Sequence, residues 1–351
     1  MLFRSLQLWH LYVVGGLTAV FQSFQWPAYS AAISMMVPKT QYQRASGMIS
    51  VAESGSGIAA PILAGALIGA VGFERLWVIF AIDLVTFVIA LSTLVAVTIP
   101  NPPKDAAENE ESFLRQSTFG FRYIWNHRPL FNLQMMFFSS NLLANLCITI
   151  LPALILARTG NNSTALATVQ SASAIGGVVG GAALTAWGGP RRKVDGVLLG
   201  MVLASLLGTA VLGLGRSLPV WAAGGFLNML FLPMVNGSNQ AIWQSKVPPA
   251  LQGRVFSTRL IIAQITAPIA MLASGPLADS IFGPAMLASG PLVPVFGWLT
   301  GTGTGAGISL MFVLFGLAGV AAGLAGYLIP SVRNVERLIP DHDTPTETAS
   351  S

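Results

Sequence analysis

Charge is the scarcest commodity in this chain: of its 351 residues only 9% are Asp, Glu, Lys or Arg, where a soluble domain carries about 25%. So few charges cannot cover a water-facing surface of this size, which excludes an ordinary soluble protein. Cysteine is nearly missing as well. Cys147 stands alone inside an apolar run, which excludes an intrachain disulfide and leaves the redox compartment unmarked. The three histidines, His10, His127 and His342, are scattered, and there is neither a Gly-Lys-Ser/Thr phosphate loop nor a His-Glu-x-x-His motif. No metal site, catalytic residue or cofactor is therefore expected, and the chain does not read as an enzyme or as directly driven by ATP. No short apolar stretch with a small-residue cleavage site follows Met1, so no cleavable signal peptide is expected.

What the chain has instead is apolar length. Hydrophobic residues make up 53%, with 37 glycines and 21 prolines, and the mean hydropathy is +0.68. Membrane helices tolerate both glycine and proline better than soluble ones do. A hydrocarbon core needs about 20 mostly apolar helical residues, and nine segments meet that rule: roughly 8–36, 46–72, 76–98, 130–157, 163–187, 194–215, 218–245, 256–282 and 305–330. Two connections are long. Residues 99–129 begin polar and become amphipathic, with Phe113, Phe121, Ile124 and Trp125 on one side, and are expected to lay a helix on the membrane surface. Residues 280–304 are rich in Gly and Pro, and a repeated "MLASGPL" (from Met271 and Met286) is expected to lengthen an outer hairpin.

The Lys and Arg residues set the sidedness. All but Arg4, Arg75, Arg158 and Arg216 of the 18 fall on one side of these spans. By the positive-inside bias that side is cytoplasmic and holds the C-terminus. The net charge of +5 thus reads as loop charge, and no nucleic-acid partner is expected. Nine spans would leave the N-terminus outside. A repeat bears on this: "VPKTQYQRASG" from Val37 and "VPPALQGRVFS" from Val247 stand 210 residues apart, each after a long apolar run. The second follows the fourth helix of a six-helix block and the first follows the first helix of the chain. Shifting the block start by the same interval places its counterpart about 80 residues ahead of Met1, room for three helices. The expected organisation is three helices ending a first half (1–98), a cytoplasmic linker with an amphipathic helix (99–129), a six-helix second half (130–330) and a cytoplasmic tail (331–351).

Parallel repeats of six helices are the architecture of major facilitator transporters. From its helix order onward the chain resembles that superfamily, and in particular its drug and macrolide efflux, or enterobactin-exporter-like, branch. The likeness is carried by "FQWPAYSAAISMMVPKTQYQRASG" (24–47), "GIAAPILAG" (57–65), "FAIDLVTFVIAL" (80–91), "FRYIWNHRPLF" (121–131) and "VPPALQGRVFS" (247–257). It implies an all-α membrane protein with a truncated major facilitator fold of about nine transmembrane helices. It also implies a proton-coupled secondary exporter of amphipathic small molecules in the bacterial cytoplasmic (inner) membrane, working as a monomer by alternating access. An uptake permease of the same fold, a non-transporting scaffold and an inactive truncated product are the alternatives. The run Gly57, Ala60, Pro61, Ala64, Gly65 resembles the family's antiporter motif, with alanine replacing two glycines. Small residues there would let helices approach closely. The loop "GGPRRKVDG" (188–196) resembles a degenerate form of the family's other loop signature.

Intramembrane carboxylates are functional candidates by default. Glu53 shares a helical line with Gly57, Ala60 and Ala64, and is either a cavity-facing protonation site or an acid tying two helices together. Asp83, between Phe80 and Phe87, carries the same two readings with the structural one favoured. Asn141, Asn145, Gln170, Asn228, Asn236, Asn239 and Gln264 are candidates to line a substrate cavity, or to hydrogen-bond between helices, which is the commoner use of such amides. Phe24, Trp26 and Tyr29 fit either a drug pocket or an interfacial belt. At the cytoplasmic turns, Arg44, Asp195 and Arg254 are candidate gate residues, with Asp195 and Arg254 expected to approach each other.

Overall fold

Backbone N–H and C=O groups cannot remain unpaired in hydrocarbon, so apolar runs of this length wind into helices that satisfy them internally. The computed structural model describes residues 8–72, 77–98 and 113–343, and among them there is no strand. The helices are α1 (Leu8–Met36), α2 (Tyr42–Val71), α3 (Trp77–Ala96), α4 (Phe113–Asn126), α5 (Arg128–Arg158), α6 (Ser163–Trp187), α7 (Lys193–Leu203), α8 (Val211–Leu214), α9 (Leu218–Lys246), α10 (Pro249–Gln264), α11 (Thr266–Pro276), α12 (Gly283–Ala285), α13 (Val293–Thr300), α14 (Ala306–Leu328), α15 (Pro330–Arg333) and α16 (Val335–Leu338). Wider π turns at Ala204–Ala210 and Leu277–Phe282 join α7 to α8 and α11 to α12. Eight of the resulting rods are long and apolar enough to cross a membrane. The ninth expected span, α1, is long enough at 29 residues, but residues such as His10, Gln22 and Gln25 dilute its apolar character.

The two "VP" turns adopt the same backbone. Pro38 sits at φ −60°, ψ 147° and Pro248 at φ −55°, ψ 140°. Each proline carbonyl accepts from the N–H three residues on, Gln41 at 2.8 Å and Leu251 at 2.9 Å. A proline cannot continue the preceding helix, but its fixed φ suits the entry to the next one.

The bundle is assembled around α6. Its run Gly176-Gly177-Val178-Val179-Gly180-Gly181 presents glycine to two neighbours at once. A Cβ on Gly176 or Gly180 would fall on the backbone carbonyls of Phe226 and Leu230 in α9. A Cβ on Gly177 would strike Ser54, and one on Gly181 would lie 2.9 Å from Gly47 O, both in α2. Gly47 answers from the α2 side against Thr185, and Gly237 of α9 lies close to Leu184 and Ser46. Such contact is the usual means of bringing membrane helices together when no hydrophobic gain is available between them. On the other flank, Gly316, Gly319 and Gly323 of α14 fit against Ala210, Ser205 and Val202.

Two apolar clusters close the ends of this bundle. One joins Leu130, Leu133, Val197, Ile242, Trp243, Val255 and Phe256 with Val332 and Val335. The other joins Cys147, Ile150, Leu154, Val169, Leu212, Trp221 and Phe312. Along α5 and α9 the residues between these clusters are the polar ones, and that is where the cavities lie.

Two expectations need correction. The stripe Gly57, Ala60, Pro61, Ala64, Gly65 meets no neighbouring helix among the described residues: its members are exposed, and a Cβ on Gly57 or Gly65 would find open space. The close approach is made nearly three turns earlier in α2, where Gly47 meets Gly181 and Thr185 of α6. Second, α4 is not a free surface helix. Gly120 lies against Thr258 and Arg254 of α10, and Ile124 is buried with Val255, while Phe121 and Trp125 are 47% and 60% exposed. The apolar face is split because α10 covers only part of it. The repeated heptapeptide, expected to lengthen an outer hairpin, is helical in its first copy, which continues α11, and forms the turn before α13 in its second. The stretches 99–112 and 344–351 of the expected linker and tail lie outside the described residues, as do the side chains of Phe24 and Phe113.

Gly180→Ala should lower stability by about 1–3 kcal/mol, because its new methyl must displace backbone, whereas Gly57→Ala should be neutral or stabilise by up to about 1 kcal/mol. Thermal unfolding of the purified chain in detergent reads both; equal effects would contradict the seam described for α6.

Candidate functional site

A cavity of about 250 Å³ lies where α1, α2, α5, α9 and α10 meet. From α2 come Ser46, Ile49, Ser50 and Glu53, spaced three or four apart and therefore on one face. Trp26, Tyr29 and Ile33 of α1 supply an aromatic and apolar wall, and Phe137, Leu260 and Ala263 extend it. The remaining wall is polar: Gln134 of α5, Asn236, Asn239, Gln240 and Gln244 of α9, and Arg259 of α10. Small-molecule sites commonly combine apolar walls with a few placed polar groups in this way.

These polar groups are incompletely paired. Eight buried side-chain N or O atoms among the described residues lack a hydrogen-bond partner, and five belong to this cavity: Gln134 Oε1, Asn239 Oδ1, Gln240 Nε2, Gln244 Oε1 and Arg259 Nε. Buried polar groups are normally satisfied, since leaving one unpaired costs about 1–3 kcal/mol. Convergence of several on one space marks it as a place for a hydrogen-bonding occupant. The frame around them is fixed: Gln244 Nε2 donates to Ser30 O at 3.0 Å, and Gln43 Nε2 donates to Ser238 Oγ at 2.8 Å. Gln252 Nε2 donates to Val247 O at 3.0 Å, and its Oε1 accepts from Ser34 Oγ.

A second cavity of about 190 Å³ adjoins the first at Phe137 and Asn236 and is lined by Asn141, Asn145, Thr209 and Asn228. Two of these amides hold helices together. Asn145 Nδ2 donates to Thr266 Oγ1 at 2.9 Å, at the break between α10 and α11. Asn228 Nδ2 donates to Ala204 O and Thr209 Oγ1, both at 3.1 Å, and so secures the π turn. Such turns release backbone groups that need a partner.

The expected site residues therefore separate. Glu53, Asn236 and Asn239 line the first cavity, and Asn141, Asn145 and Asn228 the second. Gln170 and Gln264 are exposed and line neither. Asp83 lies exposed on α3, beside Phe80 and Phe87; no residue of α3 is buried. The residue that sequence reasoning missed is Arg259, which was counted with the cytoplasmic charges. It stands ten residues into α10, about 15 Å along the helix from Pro249, and is only 6% exposed. Gln134 and Gln244 also passed unremarked as cavity groups, whereas Gln240 stood out beside Asn236 and Asn239 as an amide within a span. Among the described residues no cluster of three or more His, Cys, Asp or Glu could hold a metal ion.

At the end of the bundle bearing the "VP" turns, the gate candidates find nearer partners than expected. Asp195 pairs with Arg192 at 3.7 Å, Arg254 lies over the Phe119 ring at 4.7 Å, and Arg44 flanks Gly188. The ionic link across this end is made by the segment after α16. Asp341 lies 2.8 Å from Lys246 and 3.6 Å from Lys39, and Asp343 pairs with Lys39. Lys246, 6% exposed, also donates to Glu336 O and Ile339 O, both at 2.6 Å. Burial pushes the Asp341 carboxyl up, but its bond to Lys246 and the charges of Lys246, Lys39 and Lys193 outweigh this and hold it below the usual range. Asp343 is held low mainly by its bond to Lys39.

Comparison with known proteins gives this arrangement a context. A family description, Major Facilitator Superfamily, matches residues 1–271. A protein of Streptococcus pyogenes named macrolide efflux protein A is 24% identical over 290 residues, which cover 80% of this chain and 68% of that protein. A protein of the same name from Enterococcus faecalis is 24% identical over 275 residues, covering 77% of this chain and 83% of its own.

Both aspartates at the ionic end have lowered values in the folded state. The docking they contribute is therefore complete above the ordinary aspartate value of ~3.9 and is lost only as pH falls through the lower folded values. Hydrogen exchange over residues 330–343, corrected for its intrinsic pH dependence, should be flat above about pH 7, rise modestly below the ordinary histidine value of ~6.5, because burial and the charge of Lys39 hold the His342 imidazole low, and rise further below about pH 4. Asp341→Asn should weaken docking by only ~0–1 kcal/mol, because that carboxylate is partly exposed, whereas Lys246→Met should release the segment at neutral pH. Exchange that shows no further rise below about pH 4 would contradict the assignment.

Proposed function

We propose a transport function from one premise: the chain belongs to the Major Facilitator Superfamily. It is a multi-pass membrane transporter, not an enzyme. In our reading it exports amphipathic small molecules, the broad class that includes the macrolides for which its relatives are named. The observation that carries this is the first cavity, where an aromatic wall from α1 faces amides and a guanidinium with unpaired atoms. An amphipathic solute matches both surfaces at once.

The helices of 1–98 and those of 130–330 would belong to two halves, joined through 99–129, that rock about this cavity. The shared backbone of the Pro38 and Pro248 turns supports that division. The charge distribution supports a cytoplasmic C-terminus in a bacterial inner membrane. Glu53 is the acidic residue on the cavity wall and is the candidate to exchange a proton between the two sides.

Glu53→Gln keeps the size of the side chain and imitates the protonated form. In proteoliposomes it should retain downhill exchange of a labelled amphipathic solute and lose accumulation driven by a pH gradient. Accumulation at the parental rate would leave Glu53 a packing residue, and solute movement in the opposite direction would make the chain an uptake permease. A reporter fused after Ser351 should be cytoplasmic and one inserted near Gly160 external; the reverse at either site would overturn the orientation.

A further inference from the structure

We propose that the Arg259 side of the first cavity is a carboxylate-binding subsite, and that the solutes it selects are hydroxylated amphipathic organic acids rather than amines. The inference rests on the reading of this cavity as the transport site and adds its charge selectivity.

The guanidinium is well placed and incompletely used. Arg259 is 6% exposed inside a membrane-spanning segment, where a cation is costly unless something compensates it. Trp243 and Phe256 lie 4.3 Å and 5.3 Å from its central carbon. Such stacking engages the face of the guanidinium plane, whereas its five N–H donors lie in that plane. Nη1 donates to Gln240 Oε1 at 3.1 Å. Nε is buried without a partner, and among the described residues Nη2 makes no hydrogen bond and no carboxylate lies within ion-pairing distance of Arg259. Nη2 is therefore the donor open to a carboxylate, and the side-on pose with two parallel bonds is completed when the guanidinium turns its buried Nε toward the cavity.

A neighbouring donor strengthens the site. The Gln240 amide accepts from Arg259 through Oε1, which leaves its Nε2 as the unpartnered donor beside the guanidinium. The opposite requirement is met elsewhere on the same wall: the carbonyl oxygens of Gln134, Asn239 and Gln244 are unpartnered acceptors. They call for hydroxyl donors on the occupant, while Trp26 and Tyr29 call for an apolar or aromatic body. Among the described residues, the other ionisable groups on the wall of this cavity are Glu53 and the phenol of Tyr29.

The test is equilibrium binding to the full chain in lipid nanodiscs, read by quenching of tryptophan fluorescence, with three probes that share one ring: naphthylacetate, naphthylacetamide and naphthylethylamine. Charge-assisted bonds to a buried guanidinium predict that the acid binds about tenfold or more tighter than the amide and the amine. Arg259→Gln should bring the three to within about twofold of one another, and Arg259→Lys should keep their order with a smaller margin. If Arg259→Gln fails to fold, the ranking in the parental protein decides alone. Equal binding of all three, a preference for the amine, or no binding of the acid at millimolar concentration would each overturn the proposal. Efflux of an amphipathic amine that the acid does not inhibit would overturn it while leaving the transport function standing. The acid ranking without any transport would leave the subsite standing and remove the transport function.

Discussion

Backbone-to-backbone contact at α6 is the constraint on which the rest of the molecule depends. Four glycines within six residues strip two faces of that helix, so α9 can lie against one and α2 against the other. Among membrane helices, packing of this kind replaces the hydrophobic gain that holds soluble bundles together. Its geometric consequence is functional. With α2 drawn in at Gly47 and α9 drawn in at Phe226 and Leu230, Ser46, Ile49, Ser50 and Glu53 turn toward Asn236, Asn239 and Gln240 across a shared space. A bulkier α6 would spread the two helices and leave no enclosed cavity between them.

That space is polar at a depth where polar groups are expensive, and the two cavities handle this differently. In the second, Asn145 and Asn228 are spent on holding breaks and π turns in their own bundle. In the first, five atoms are left without partners. A structural cavity would be expected to resemble the second. The first leaves them for an occupant to complete, which is what the proposed transport function calls for. The ends of the bundle show the opposite economy: apolar clusters close both, and at the end bearing the "VP" turns Lys246 is satisfied by two carbonyls and Asp341.

Much of the fold was legible in the sequence because membrane helices obey a length and polarity rule that few other patterns imitate. The "VP" turns were legible for a related reason, since proline fixes φ wherever it stands. The placement of Glu53, Asn236 and Asn239 on a cavity followed from their cost in a span. Arg259 was hidden because only five residues separate it from Arg254, and a count of basic residues could not tell a turn from a buried helical turn and a half beyond it. The stripe around Pro61 resembled a packing motif, yet the packing glycines are those of α6, whose partners lie in other helices and leave no local signature. The repeated heptapeptide makes the same point most directly: identical residues are helical in α11 and a turn before α13, so their surroundings decide.

The central claim is that α2 borders a water-reachable cavity at Ser50 and, one turn further on at Ser54, packs against α6. Single cysteines at Ser50 and at Ser54, introduced after Cys147→Ala removes the native thiol, test it directly through their rates of reaction with a hydrophilic maleimide in membranes. Ser50→Cys, on the cavity wall, should react readily and be protected by a transported solute. Ser54→Cys, set against Gly177, should react far more slowly and gain no protection. Equal reactivity at the two positions, or an unreactive cysteine at position 50, would contradict the account.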